Sequence, residues 1–135
     1  MIKLSDLKPG DIVTIMEEGG EREGVVVDVS SNENMVCVHN GVQEFWYPPS
    51  QILSVPLSEE QLFKLGFQRQ DNDGGIKYLR GPFRIQVREE GNFSDFEIWY
   101  REDHRHFRVP LTVHELQNHY LDMTKVPLER PDSVA

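Results

Sequence analysis

The spacing of apolar residues changes character midway along the chain. Up to residue 56 they come in short runs, 12–16, 24–29, 35–38 and 43–47, separated by turn signals and without helical period. Leu7-Lys8-Pro9-Gly10-Asp11 leads into the first run, Glu17-Glu18-Gly19-Gly20 ends it, and Ser30 to Asn34 is polar. His39-Asn40-Gly41 precedes the last run, and Asn-Gly between apolar runs is a strong hairpin signal. Four short strands at this spacing predict a small closed or nearly closed barrel.

From residue 57 helical and strand periods alternate. Glu59 to Leu65 predicts a short helix that Gly66 ends as a left-handed C′ glycine, with Phe67 placed to touch Leu62. Gln68 to Gln70 and Ile76 to Leu79 flank a turn at 71–75. Phe83, Ile85 and Val87 then alternate with Arg84, Gln86 and Arg88, as in a half-buried antiparallel strand. Phe96, Ile98 and Tyr100 alternate in the same way with Glu97, Trp99 and Arg101, and an extended stretch continues through Phe107 and Val109. Val113, Leu116, Tyr120 and Met123 form one helical stripe.

Val-Pro-Leu-Ser-x-x-Gln-Leu at 55–62 recurs as Val-Pro-Leu-Thr-x-x-Glu-Leu at 109–116, and each copy reads as a capping box with a hydrophobic staple. The residues after the two copies differ, so the repetition is helix-start grammar used twice and not a duplicated domain. The fold class expected is α+β: a barrel over 1–56, then an α+β module over 57–130 with a helix, three to four antiparallel strands and a second helix, then a flexible tail at 131–135.

The Pro-Gly-Asp-x-Val opening over residues 9–13 and the twisted hairpin after it resemble SH3-like barrels of the KOW and Tudor sort, with coverage of about residues 4–56. The resemblance implies peptide, modified side chain or RNA binding. The barrel, Pro56 to Leu62 running to Leu65-Gly66-Phe67, and Val113-His114-Glu115-Leu116-Gln117-Asn118-His119-Tyr120, taken in order, resemble uncharacterised small proteins of Bacteroidetes genomes and their phage-like elements, which end in a similar His-x-Leu-Gln-Asn-x-Tyr helix. That family usually continues with a Thr-Gly-Glu-Glu-like tail where this chain has Thr124-Lys125-Val126-Pro127. It implies a fold and no catalytic residues.

Composition narrows the function classes. Of 135 residues, 38% are hydrophobic and 27% charged, ordinary for a soluble protein, and no apolar run approaches bilayer length. The Met-Ile-Lys-Leu-Ser start has no signal-peptide stretch, so a cytoplasmic location is expected. Net charge is -9, and residues 1–57 carry 3 basic and 9 acidic side chains, a poor match to a phosphate backbone. No cofactor is expected, and a homo-oligomer is compatible with the sequence. Cys37, the only cysteine, sits in a strand-like run and reads as a small buried hydrophobe.

Three groups of residues could carry chemistry. Phe45-Trp46-Tyr47 cannot all enter one small core, because successive strand side chains face opposite ways. Either the second module covers the outer ring, or Phe45, Trp46, Tyr47 and, on the other module, Trp99 mark a partner-binding surface. Arg84, Arg88, Arg101, Arg105 and Arg108 could line an open sheet face for an anion or nucleic acid, although interleaved acids suggest a salt-paired surface. His104 and His106 share a strand face and could grip a metal with His114 and Glu102 or Glu115, yet Asp103 to His106 also reads as a solvated edge or turn. No Gly-x-Ser-x-Gly, P-loop or His-Glu-x-x-His occurs. A non-catalytic binding or adaptor protein with a protein or peptide partner is therefore expected, with a nucleic-acid-associated protein as the alternative and a metal-dependent or hydrolytic enzyme third.

Overall fold

The change of apolar period is also a change of structural unit. The structure, a computed structural model, describes residues 2–72 and 75–131. It divides into one unit holding the residues up to Val55 with Thr112–Asn118, and another holding Pro56–Leu111 with the residues from His119 on. Two of the divisions fall inside the repeated phrase, after Val55 and after Leu111. The sequence pattern places 112–118 in the second module, whereas in the structure they group with the first unit. Of the predicted turn at 71–75, residues 71, 72 and 75 belong to paired strands and 73–74 lie outside the described residues, as do residues 132–135 of the predicted tail.

In the first unit β1 (Ile12–Glu17), β2 (Gly20–Ser30), β3 (Met35–His39) and β4 (Glu44–Tyr47) form an antiparallel meander, and β5 (Ile52–Leu53) returns to pair with β1. The strand order is β4-β3-β2-β1-β5, with β4 and β5 as edges, so the expected closure of a barrel is not met. β2 serves two partners, β1 through residues 20–25 and β3 through residues 25–30. A register shift between Val26 and Asp28 marks a bulge, which bends the strand between its two pairings.

Val13, Ile15, Val26, Val36, Val38, Tyr47 and Ile52 pack with Leu7 as the core of this unit. Gly24 is where strands come closest: a Cβ there would lie 2.5 Å from Val38 Cγ1 and 2.8 Å from Ile15 Cδ1. The β3–β4 turn forms at the predicted Asn-Gly, with Asn40 Oδ1 accepting from the N–H groups of Val42 and Gln43 at 3.0 and 3.1 Å.

The second unit opens with α1 (Glu59–Lys64), whose ends match the sequence expectation. Ser58 Oγ accepts from Gln61 N–H at 3.2 Å. At the C-terminus Gly66 has φ 89°, its N–H donates to Phe63 C=O at 3.0 Å, and Phe67 N–H donates to Leu62 C=O at 3.0 Å, a full Schellman motif. β6 (Gln68–Asn72), β7 (Gly75–Arg80), β8 (Phe83–Val87), β9 (Phe96–Tyr100) and β10 (Asp103–Phe107) then form a second antiparallel meander in sequence order. Five strands stand where three or four are expected. Of the two readings of Asp103–His106, solvated edge or turn, the structure has the edge: Asp103–Phe107 is an edge strand paired with β9.

Tyr78, Phe83, Ile85, Val87, Phe96 and Ile98 are the buried face of this sheet, and Leu62, Leu65, Phe67 and Tyr120 belong to the same buried set. The Tyr120 ring lies 4.6 Å from that of Phe83. Arg69 bridges Glu59, Asp71 and Glu90 at 2.5, 2.7 and 3.3 Å, and Tyr78 donates to Glu59 at 2.8 Å. The Tyr78 hydrogen bond and then Arg69 hold the Glu59 carboxyl below its usual range.

α2 (Val113–Thr124) contributes its first turns to the first unit and the rest to the second. All four residues of its predicted stripe, Val113, Leu116, Tyr120 and Met123, are buried. The reach-back half of its capping box is formed, with Thr112 N–H donating to Glu115 Oε1 at 2.9 Å. No helix among the described residues is long and apolar enough to cross a membrane.

Candidate functional site

Among the described residues β4 pairs with β3 alone, in the register Val36 with Tyr47, Cys37 with Trp46, Val38 with Phe45 and His39 with Glu44. Asn40 N–H donates to Gln43 C=O at 3.1 Å, which sets the phase of the ladder. Because bonded and non-bonded positions alternate in an antiparallel pair, Gln43, Phe45 and Tyr47 direct their backbone groups at β3. The N–H and C=O groups of Glu44 and Trp46 therefore point to the outer edge.

Side chains alternate about the same strand. Tyr47 is a core residue, 6% exposed, and accepts from Asn40 Nδ2 at 3.4 Å. Phe45, on the same side of the sheet but nearer its end, stays 47% exposed and meets Tyr47 edge-on at 6.2 Å. Trp46, on the other side, is 46% exposed. Of the three adjacent aromatics two thus remain on the surface, beside an exposed Val42.

Cys37 faces Trp46 across the ladder and is buried. Burial first, then the Glu44 and Asp28 carboxylates, push its thiol up, away from the reactive thiolate. Asp28 is in register with Cys37 on β2, and Glu44 lies two residues before Trp46 on the same strand face. Trp46 therefore shares its sheet face with two carboxylates, Glu44 on its own strand and Asp28 two strands inward.

In the second unit the register aligns Arg84, Trp99 and His104 in one row and Gln86, Glu97 and His106 in the next, on the sheet face opposite Ile85 and Ile98. Trp99 is half-buried between the Arg84 guanidinium, 5.0 Å from the indole centroid, and the His104 ring at 4.2 Å. The arginine set is not gathered there. Arg105 turns to the other face, where its Nη1 donates to His119 Nδ1 at 2.7 Å and its Nη2 to Asp122 at 2.5 Å. Arg101 sits in the β9–β10 turn with φ 57°, over the Tyr100 ring at 5.2 Å, while Arg88 and Arg108 are exposed beyond the strand ends.

His104 and His106 do share a face of β10, each engaged with a carboxylate. His104 Nε2 is 2.6 Å from Glu97 and His106 Nε2 is 2.7 Å from Asp95. The contact with His106 holds the Asp95 carboxyl below its usual range. Glu115 is committed to Thr112, and no group of three or more His, Cys, Asp or Glu side chains among the described residues is placed to hold a metal ion.

The Gln-Asn pair of α2 has a role that sequence spacing does not reveal. Gln117, fully buried, accepts from Ile12 N–H at 2.9 Å through Oε1 and donates to Gly10 C=O at 2.8 Å through Nε2. Asn118 Nδ2 donates to Asp6 C=O at 3.0 Å, and its Oδ1 accepts from Lys8 Nζ at 2.7 Å. Lys8 Nζ also meets the buried Asp11 carboxylate at 2.6 Å. The helix thus clamps the Pro-Gly-Asp turn that starts β1. Burial dominates the titration of the enclosed groups, raising the Asp11 carboxyl against the pull of Lys8 and lowering the His114 imidazole.

A cleft of about 260 Å³ in the first unit is lined by Lys3, Asp6, Ser54, Thr112, His114 and Glu115, with Ile2, Ile52 and Leu53. Thr112 donates its hydroxyl proton to Glu115 at 2.8 Å, so its oxygen, 3.2 Å from His114 Nδ1, is an acceptor for a protonated Nδ1. Of the cleft's polar groups, Thr112, His114 and Glu115 are thereby used in the helix start. No family model matches the chain, and neither the curated proteins nor the solved structures contain a significant match to it.

Proposed function

We propose that the chain is a non-catalytic binding protein whose first unit, an open SH3-like barrel of the KOW and Tudor sort, docks a partner protein through the aromatic edge of β4. The observation that carries this is the exposure of Phe45 and Trp46, at 47% and 46%, on a strand with one edge unpaired among the described residues. Large aromatics are disfavoured on a surface without a partner and are enriched where binding energy concentrates. The barrel assignment rests on the β4-β3-β2-β1-β5 order and the bulged β2 shared between two pairings. A nucleic-acid role has less support, since Arg84 lies on Trp99, Arg105 is engaged by His119 and Asp122, and the chain carries net charge -9.

Affinity capture from the native host tests the docking site. A partner retained by the wild-type chain is expected to be lost with Phe45→Ser/Trp46→Ala. Equal recovery by both would place docking elsewhere. A low-salt mobility shift on labelled RNA or DNA that weakens steeply with added salt would favour the arginine surface instead.

A further inference from the structure

Backbone, charge and ring geometry together restrict what can lie against β4. The outward N–H and C=O groups of Glu44 and Trp46 are two residues apart, roughly 6.6 Å along the strand, which is the repeat of an added strand. The surroundings are acidic: residues 1–57 carry net charge -6, and β3 and β4 contain no Lys or Arg. Of the three basic residues in that stretch, Lys8 is held by Asp11 and Asn118, and Arg22 by Glu17 at 3.7 Å and Asn40 C=O at 3.4 Å. The exposed Trp46 shares its sheet face with Glu44, two residues away on its own strand, and with Asp28, two strands inward at roughly 10 Å in the same cross-strand row. An aromatic face on a sheet face that carries carboxylates attracts a cation and repels an acid. A second copy of this chain would bring another Glu44 to the same edge, so self-association there is opposed by like charge.

Building on the docking site above, we propose that β4 takes up an extended segment of a partner protein bearing Lys or Arg, added as a further strand. The segment's backbone pairs with Glu44 and Trp46, and one of its cations lies over the Trp46 indole beside Glu44, on the acidic face that also carries Asp28. Strand addition supplies affinity without sequence reading, and the indole on its acidic face supplies the selection for positive charge.

A randomised linear peptide library displayed on phage, selected on the full-length chain, tests this. The expected winners are extended, β-branched sequences enriched in Lys or Arg, with titration shifts centred on the backbone amides of Glu44 and Trp46. Trp46→Ala is expected to weaken them roughly tenfold, and Glu44→Gln a few-fold with a shallower salt dependence. Glu44→Pro removes one outward donor and is expected to abolish binding. N-methylation of alternate peptide residues blocks the same ladder from the ligand side, so the result stands if Glu44→Pro disturbs the fold.

Winners without basic enrichment that still depend on Trp46 would overturn the cationic segment and leave the docking site intact. Winners indifferent to both Trp46→Ala and N-methylation, or no selection above background, would overturn the docking site as well.

Discussion

Replacing Gln117 is the sharpest test of how the first unit is held together. Its amide satisfies the Ile12 N–H at 2.9 Å and the Gly10 C=O at 2.8 Å, and Gln117 and Ile12 are both fully buried. Gln117→Met keeps most of the volume and removes both hydrogen bonds, leaving a buried donor and a part-buried acceptor without partners. An unsatisfied buried group costs about 1–3 kcal/mol. Ile12 lies at the upper end and Gly10, half-buried, at the lower, which gives a loss of about 3 kcal/mol for the pair. That is a large share of the roughly 5–15 kcal/mol typical of a small protein.

Urea unfolding monitored by fluorescence in a Trp99→Phe background places the probe in the first unit, since Trp46 is then the only tryptophan. With a slope of about 2 kcal/mol per molar urea, the midpoint should fall by about 1.5 M at unchanged slope. The Ile12 amide should also lose hydrogen-exchange protection. A midpoint shift below about 0.3 M with Ile12 still protected would refute the clamp, because the two bonds would then contribute less than the cost of losing them.

The same packing sets further expectations. Gly24→Ala should destabilise by about 1–3 kcal/mol in the same urea assay, because the new methyl lands within 2.8 Å of both Val38 and Ile15 side-chain atoms. Ser58→Ala should cost about 1 kcal/mol through loss of the bond to Gln61 N–H, read as a lower midpoint reported by Trp99 in a Trp46→Phe background. His114 titrates below 6.5 in the folded chain, so the unfolded state binds its proton first and stability should fall as pH drops below about 6.5. His114→Gln should flatten that slope. Asp11, raised from 3.8, acts in the opposite sense in the acid range, and Asp6, Glu115 and Lys8 also act on the imidazole, so wild type and variant are compared at each pH. An identical slope in the variant would remove His114 from the account.

Features decided over a few residues are the ones legible in the sequence. The Asn40-Gly41 hairpin, the Ser58 cap, the Gly66 Schellman end and the Phe83-Ile85-Val87 alternation each depend on neighbours within a turn or a strand repeat. The Asp103–Phe107 stretch is read only as extended and as a solvated edge or turn, since one of its faces carries His104 and His106 and it has no apolar alternation; the structure makes it the edge strand with both histidines on one face. Arg105 groups with Arg84 by composition, yet strand parity alone puts it on the opposite face, which becomes readable once the strand is known. Gln117 and Asn118 leave no local signal of their contacts with the turn that starts β1, although an Asp directly after Pro-Gly that must be buried hints at a polar partner from elsewhere in the chain.

The sequence by itself determined the α+β class, the break near residue 55, the position of both helices and the impossibility of burying three adjacent aromatics, because sterics and side-chain parity act locally. Tertiary structure decided the rest. It paired β5 with β1, left β4 as an edge, assigned the start of α2 to the first unit and chose Tyr47 for the core while Phe45 and Trp46 stayed outside. These outcomes depend on which distant strand or helix satisfies a backbone group or covers a side chain, a competition between contacts far apart in the chain that no local spacing records.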